Sequence, residues 1–218
     1  VFDNYIEQCY LDNFLRGGYP YVFQGEEKDA VVHLFSRKHG DPERDYNFFS
    51  IAAEYYSQGN GNFRDVSQNR RNDVFFNKDV GDFNVKTFFS LIQADGYNPL
   101  EVRPSLFNVT EGKMEEVKNY VNQCIDGDAS KIIEIVEGSF TPGQISNTVA
   151  RNQIKLTVDD GEFIANILNN CDQNIEAGFG EGYWSDHWDY NMDLVDNYLS
   201  VFPDKKDEML FGDKTYKF

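Results

Sequence analysis

The sequence predicts a mainly α fold, and three observations predict it. Apolar residues recur at three- and four-residue spacing through most of the chain. The links between those periodic segments are short and rich in Gly, Asn, Asp and Pro. Only one brief stretch, Val31, Val32, Leu34 and Phe35, reads as a strand or a buried loop.

Taken in order, residues 2–15 carry Phe2, Ile6, Cys9, Tyr10 and Phe14 near helical spacing, and Gly17-Gly18 stops them. Residues 19–43 are expected to be irregular to extended. A helix is predicted over 44–56, with Tyr46, Phe49, Ala53 and Tyr56 on one face and Asp41 or Asp45 as its cap. Gly59-Asn60-Gly61-Asn62 then forces a turn. Two helices follow over 65–76 and 81–94, joined by 77–80, and Gly96-Tyr97-Asn98-Pro99 closes the second. Such short links favour antiparallel neighbours. Four more helices are expected over 113–125, 131–136, 141–154 and 162–175, with more charge and fewer aromatics. The last of these is amphipathic through Phe163, Ile164, Ile167, Leu168, Cys171 and Ile175. A final helix over 190–202 places Leu194, Val195, Tyr198, Leu199 and Phe202 on one side, and Pro203 ends it. The change in composition divides the chain into 1–108, a helical insertion or subdomain over 109–179, and 180–218.

Bulk properties narrow the function. The chain has 218 residues, 40% hydrophobic and 16% aromatic, too much ring surface for a disordered chain to leave unburied. No apolar run approaches the roughly 18 to 20 residues of a membrane span. Lys+Arg number 20 against 37 Asp+Glu, a net charge of -17, which repels phosphate backbones and opposes binding to nucleic acid or an anionic membrane. Cys9, Cys124 and Cys171 are far apart, odd in number and without zinc-type spacing, so reduced thiols and a cytosolic setting are expected. The ends, Val1 and Phe218, read as those of a piece cut from a longer chain, whose remainder is then an expected partner.

Two clusters could carry chemistry. In the first, the glycine-rich loop at 59–62 runs into a helix start dense in Arg64, Asp65, Gln68, Asn69, Arg70, Arg71, Asn72 and Asp73. Free backbone N–H groups and planar amide and guanidinium side chains at such a place can hydrogen-bond sugar hydroxyls in fixed directions. The plainer alternative is that Asp65 caps the helix while Arg64, Arg70 and Arg71 make surface ion pairs. In the second, Gly178, Gly180 and Gly182 precede Trp184, Asp186, His187, Trp188 and Asp189. Indole faces stack on sugars, and a carboxyl beside them can take a hydroxyl or donate a proton. The plainer alternative is an aromatic plug with Asp186 or Asp189 capping the helix that follows. His187 has no paired spacing with His33 or His39, so no metal site is expected. Phosphate-loop, dinucleotide and nucleophile-elbow motifs are absent from the sequence.

Together, Phe63-Arg64-Asp65-x-x-Gln68 and Trp184-x-Asp186, with Arg64 and Asp186 122 positions apart, resemble the cellobiose and chitobiose phosphorylase family of inverting glycoside phosphorylases. In that family a Phe-Arg-Asp-x-x-Gln-Asp segment holds the sugar whose bond is broken. A later Gly-Asp-Trp-Asn-Asp-Gly segment carries the general acid as its second Asp. The resemblance implies that Asp186 is the proton donor, with Trp184 beside it; Trp188, the second indole of the cluster, is expected from its residue type to contact the substrate too. It implies that Arg64, Asp65 and Gln68 grip the sugar, a disaccharide or oligosaccharide, and that inorganic phosphate is the co-substrate with no other cofactor. This sequence differs at Asn69, at Tyr183, and at His187-Trp188 after the acid. The family fold is an (α/α)6 toroid, of which 1–108 would be the first part, 109–179 a small helical insertion, and 180–218 the active-site loop and the next toroid helix. The family's phosphate pocket comes from chain beyond the acid.

The expected activity is therefore inverting phosphorolysis, in which phosphate attacks as an anion and one protein carboxyl suffices. Inverting hydrolysis needs a second carboxylate roughly 6.5 to 9.5 Å away to activate water, and Glu181, Asp189 and Asp65 are the candidates. A non-catalytic glycan-binding or scaffold domain is the alternative that the differing positions motivate. A helical interaction module with the Trp-rich loop as a protein interface is a third.

Overall fold

Short strands paired across long stretches of sequence decide the architecture. In a computed structural model, residues 2–7, 18–34, 52–180 and 184–212 are described. Of these about 51% are helical and 17% lie in strands distributed over several small sheets. The fold is mixed α/β, which corrects the mainly α expectation and with it the (α/α)6 toroid.

Strand β1 (Tyr19–Phe23) pairs antiparallel with β2 (Ala30–Leu34), Tyr21 opposite Val32. Strand β4 (Glu101–Val102) lies between β3 (Gly61–Asn62) and β9 (Ala177–Gly178). Strand β5 (Leu106–Val109) pairs with β8 (Cys171–Asn174), and β6 (Ile125–Asp126) with β7 (Lys155–Leu156). The Leu100 and Arg103 N–H groups donate to Gly178 O and Glu176 O at 2.8 and 2.9 Å. Residues 100–109 and 171–178 thus form one antiparallel ribbon, through which 110–170 leave and return. The ribbon ends the helix expected over 162–175 early: α7 is Asp160–Asn169. Pairing with β5 satisfies the backbone of 171–174, and Cys171 is buried from a strand rather than from a helical stripe.

Helices α4 (Met114–Cys124), α5 (Ser130–Val136), α6 (Pro142–Arg151) and α7 surround one core with the β1–β2 hairpin. Val117, Val121, Ile132, Val136, Ile145, Phe163 and Ile164 are completely buried there, each contributing roughly 1.5–3 kcal/mol. Thr141 and Gln144 form a capping box at the start of α6, with Pro142 in its first turn. Segment 52–58 docks on that helix: Tyr55 N–H donates to Asn147 Oδ1 at 3.2 Å, Asn147 Nδ2 donates to Ala53 O at 3.1 Å, and Thr141 Oγ1 donates to Glu54 Oε1 at 2.8 Å. Residues 52–56 are not helical, which corrects the end of the helix expected over 44–56; 44–51 lie outside the described residues. Of the stretch 2–15, residues 2–7 are helical and the rest lies outside them too.

A second core gathers α1 (Phe63–Arg70), α2 (Asp73–Phe76), α3 (Phe83–Ser90) and α8 (Asp186–Val201). Phe63, Val66, Phe88, Leu194, Val195 and Tyr198 fill it, and α9 (Lys206–Phe211) adds Met209. The single helix expected over 65–76 divides into α1 and α2 at Arg71-Asn72. Both of those residues are held from outside: Asn197 Nδ2 donates to Arg71 O and to Asn72 Oδ1 at 2.8 and 3.0 Å. Among the described residues no helix is long and apolar enough to cross a membrane.

Candidate functional site

The first cluster occupies the start of α1. Asn62 caps it, its Oδ1 accepting from Arg64 N–H at 2.9 Å. Phe63 anchors the turn below the surface, its N–H donating to Leu100 O at 2.9 Å. Almost every side of the helix is buried, so Arg64 and Gln68, one turn apart, form its partly exposed stripe. The Arg64 side chain, 41% exposed, turns its Nε to Asp65 Oδ1 at 3.3 Å, while the Asp65 side chain is 2% exposed.

The second cluster belongs to the start of α8. Residues 181–183 lie outside the described residues, but Asp186 to Tyr190 form the first turns of the helix, which corrects the loop expected there. Asp186 is exposed and Trp184 and Trp188 are half-buried. Asp186 and Asp189 both lie in the first turn, where negative charge complements the helix dipole.

Tertiary packing brings the two clusters into contact. His187, 6% exposed, lies with its ring centroid 5.6 Å from Trp184 at an interplanar angle of 17°, and 5.8 Å from Phe63. Burial keeps this imidazole below its usual pKa; the neighbouring Asp186 carboxylate opposes that and the Arg64 guanidinium adds to it. His187 therefore feels a charge from each cluster. Further along, Ser67 Oγ donates to Asn191 Oδ1 and Asn191 Nδ2 to Asn98 Oδ1, each at 3.4 Å. Arg71 pairs with Asp193 at 2.6 Å and lies over the Tyr190 ring at 5.6 Å. Arg64, Asp65, Trp184 and Asp186 thus belong to two helix starts joined through Phe63 and His187. Trp188 stands instead against Phe89 of α3, ring centroids 6.4 Å apart.

Arg70 and Asp73, part of the first cluster by sequence, are not on the surface. Arg70 is 1% exposed, and its Nε lies 3.4 Å from Asp73 Oδ2. Asn84 Nδ2 donates to Asp73 Oδ2 at 2.9 Å and to Arg70 O at 3.0 Å. With the Asn84 amide nitrogen so engaged, its oxygen accepts from His33 Nε2 at 2.7 Å, and that fixes the ring proton on Nε2. Burial and then the Arg70 charge drive His33 down to about 3 against the Asn84 bond. Burial raises Asp73 to about 6, against the pull of Arg70 and Asn84. A cavity of about 20 Å³ beside His33, lined also by Gln58, Thr87 and Ser105, has room for about one water. No local pattern announced this network, because His33 and Asn84 are 51 positions apart.

No family model, curated protein or solved structure matches the chain. Any functional reading therefore stands on the residues themselves. Among the described residues no group of three or more His, Cys, Asp and Glu is placed to hold a metal. Cys124 and Cys171 are buried free thiols, and burial pushes Cys171 up to about 12. What the joined helix starts present is a guanidinium, the exposed Asp186 carboxylate, an amide and an indole, with the Asp65 carboxylate buried beside Arg64, a set suited to a neutral polyhydroxylated ligand.

Proposed function

We propose that this chain is part of the catalytic unit of a cytosolic carbohydrate-active enzyme, an inverting phosphorylase of a disaccharide or oligosaccharide. The observation that carries the reading is the contact of Phe63 with His187, which joins the helix start bearing Arg64 to the one bearing Asp186. Arg64, Asp65 and Gln68 bind hydroxyls of the sugar, and Trp184 supplies an apolar face. Asp186 gives its proton to the glycosidic oxygen, and the carbon–oxygen bond breaks with its electron pair passing to that oxygen. An oxygen of inorganic phosphate bonds to the anomeric carbon from the opposite face. The products are an inverted sugar 1-phosphate and the released sugar, and Asp186 is reprotonated from water. Buried free Cys124 and Cys171 are in keeping with a reducing compartment.

In the intact protein, Asp186→Asn is expected to lower phosphate-dependent cleavage by roughly 10²- to 10⁴-fold while leaving sugar affinity within a few-fold. Unchanged turnover ends the assignment. Cleavage of equal rate without phosphate makes the reaction a hydrolysis. A second reading, glycan binding without turnover, is favoured by the exposed place of Asp186 in a first helical turn, where a carboxylate stabilises the helix end without doing chemistry. Sugar binding by calorimetry with no cleavage under either condition selects it.

A further inference from the structure

The His187 ring is enclosed by Trp184 and Phe63, yet its Nδ1 is buried without any hydrogen-bond partner. A buried polar atom left unpaired destabilises the fold, and a phenylalanine would give two aromatic neighbours the same kind of contact without that cost. Packing alone thus gives no reason for an imidazole here. The ring also feels the charges of Arg64 and Asp186, the two residues that the carbohydrate reading places on the ligand.

Building on that reading, we infer that His187 is a ligand-binding residue whose imidazole hydrogen-bonds one hydroxyl of the bound sugar. The ring is suited to a hydroxyl in particular. Burial and the nearby guanidinium favour its neutral form, which has one donor and one acceptor nitrogen and carries no charge with which to attract an anion. The Asp186 carboxylate next to it adds negative charge that repels one. A hydroxyl, which both donates and accepts, meets Nδ1 in either tautomer. Trp184 stacks on the ring nearly parallel and limits its rotation, so the direction of that hydrogen bond is fixed before the ligand arrives.

The test compares the intact wild-type protein with His187→Phe and His187→Gln, using a panel of disaccharides that includes cellobiose and chitobiose with their monodeoxy analogues. His187→Phe keeps the ring and removes the nitrogens. It is expected to melt at or above the wild-type temperature and to bind the best disaccharide roughly 5- to 100-fold more weakly. One monodeoxy sugar should lose affinity for wild type by a similar factor and lose none for His187→Phe, which identifies the hydroxyl. His187→Gln, which keeps a donor and an acceptor without the ring, should fall between the two and decides the matter if the phenylalanine variant does not fold. Wild-type affinity in a folded His187→Phe or His187→Gln overturns the inference and leaves the carbohydrate reading intact. A wild-type protein that binds none of the sugars overturns the carbohydrate reading, and this inference with it.

Discussion

His33 Nε2 lies 2.7 Å from Asn84 Oδ1, so a ring carried by the β1–β2 hairpin is fastened to helix α3. The hairpin packs into one core through Phe23 and Val32, while Asn84 belongs to a helix of the other. The bond therefore couples the two cores, setting the half-buried His33 against Arg70, Asp73 and Asn84, which have been taken out of water. Arg70, Asp73 and Asn84 complete the arrangement, and its energetics lead to the first two predictions.

Stability should respond to pH in opposite senses at His33 and Asp73. The His33 pKa is depressed in the folded protein, from 6.5 to about 3. As pH falls below about 6.5 the unfolded chain takes up a proton that the native one refuses, so stability is lost over that window. The Asp73 pKa is raised, from 3.8 to about 6. As pH falls from about 6 to about 4 the native state takes up a proton that the unfolded one does not, and stability is gained. The two contributions oppose each other in that range. Asp73→Asn removes the gain, and relative to wild type it should lose roughly 1.4 kcal/mol per pH unit between pH 6 and 4. Urea titrations at half-unit steps measure this; parallel curves for the two proteins would sink the assignment.

Arg70 should matter through the charge it neutralises. Its removal in Arg70→Met leaves the Asp73 carboxylate buried beside Asn84 alone, at a cost of roughly 3–5 kcal/mol. Adding Asp73→Asn removes the stranded charge and should recover much of that loss. Denaturant unfolding of wild type, both single variants and the double variant gives the coupling. Additive losses would mean that the two side chains do not act as a pair.

The docking of 52–58 depends on a close approach at Gly143. A Cβ there would meet Tyr55 O at 2.0 Å, a backbone atom that cannot swing aside as a flexible side chain would. Gly143→Ala should cost about 1–3 kcal/mol and open the neighbourhood of residues 52–58 to limited proteolysis. An alanine variant with wild-type stability and an unchanged digestion pattern would show that the contact is not essential.

Much of the helical content was legible because its cause is local. Phe163, Ile164, Ile167 and Leu168 repeat with the period of one helix face, and Leu194, Val195, Tyr198 and Leu199 do the same in α8. The strands were not, because a pair such as Glu101-Val102 is too short to show any alternation and exists only with partners at 61–62 and 177–178. The same reason hid the end of α7: the stripe that continues through Cys171 and Ile175 is helical by spacing, but residues 171–174 pair with β5. In the candidate site, residue types suggested sugar chemistry, and the glycines before Trp184 suggested a loop as far as Tyr190. The helix begins instead at Asp186, with Trp184 stacked on His187.

The amino-acid sequence by itself determined the positions of the periodic helices, the strong negative charge, and the two groups of residues suited to hydroxylated ligands. Each of those follows from side chains close together along the chain. Only the tertiary structure decided that the fold is mixed, that Arg70 is a core residue paired with Asp73, and that Phe63 lies against His187. Those depend on which backbone edges pair and which side chains leave water together: Glu101 meets Gly178 and Phe63 meets His187 from tens to more than a hundred positions away, and Arg70 with its neighbour Asp73 is buried by the packing of other elements around them.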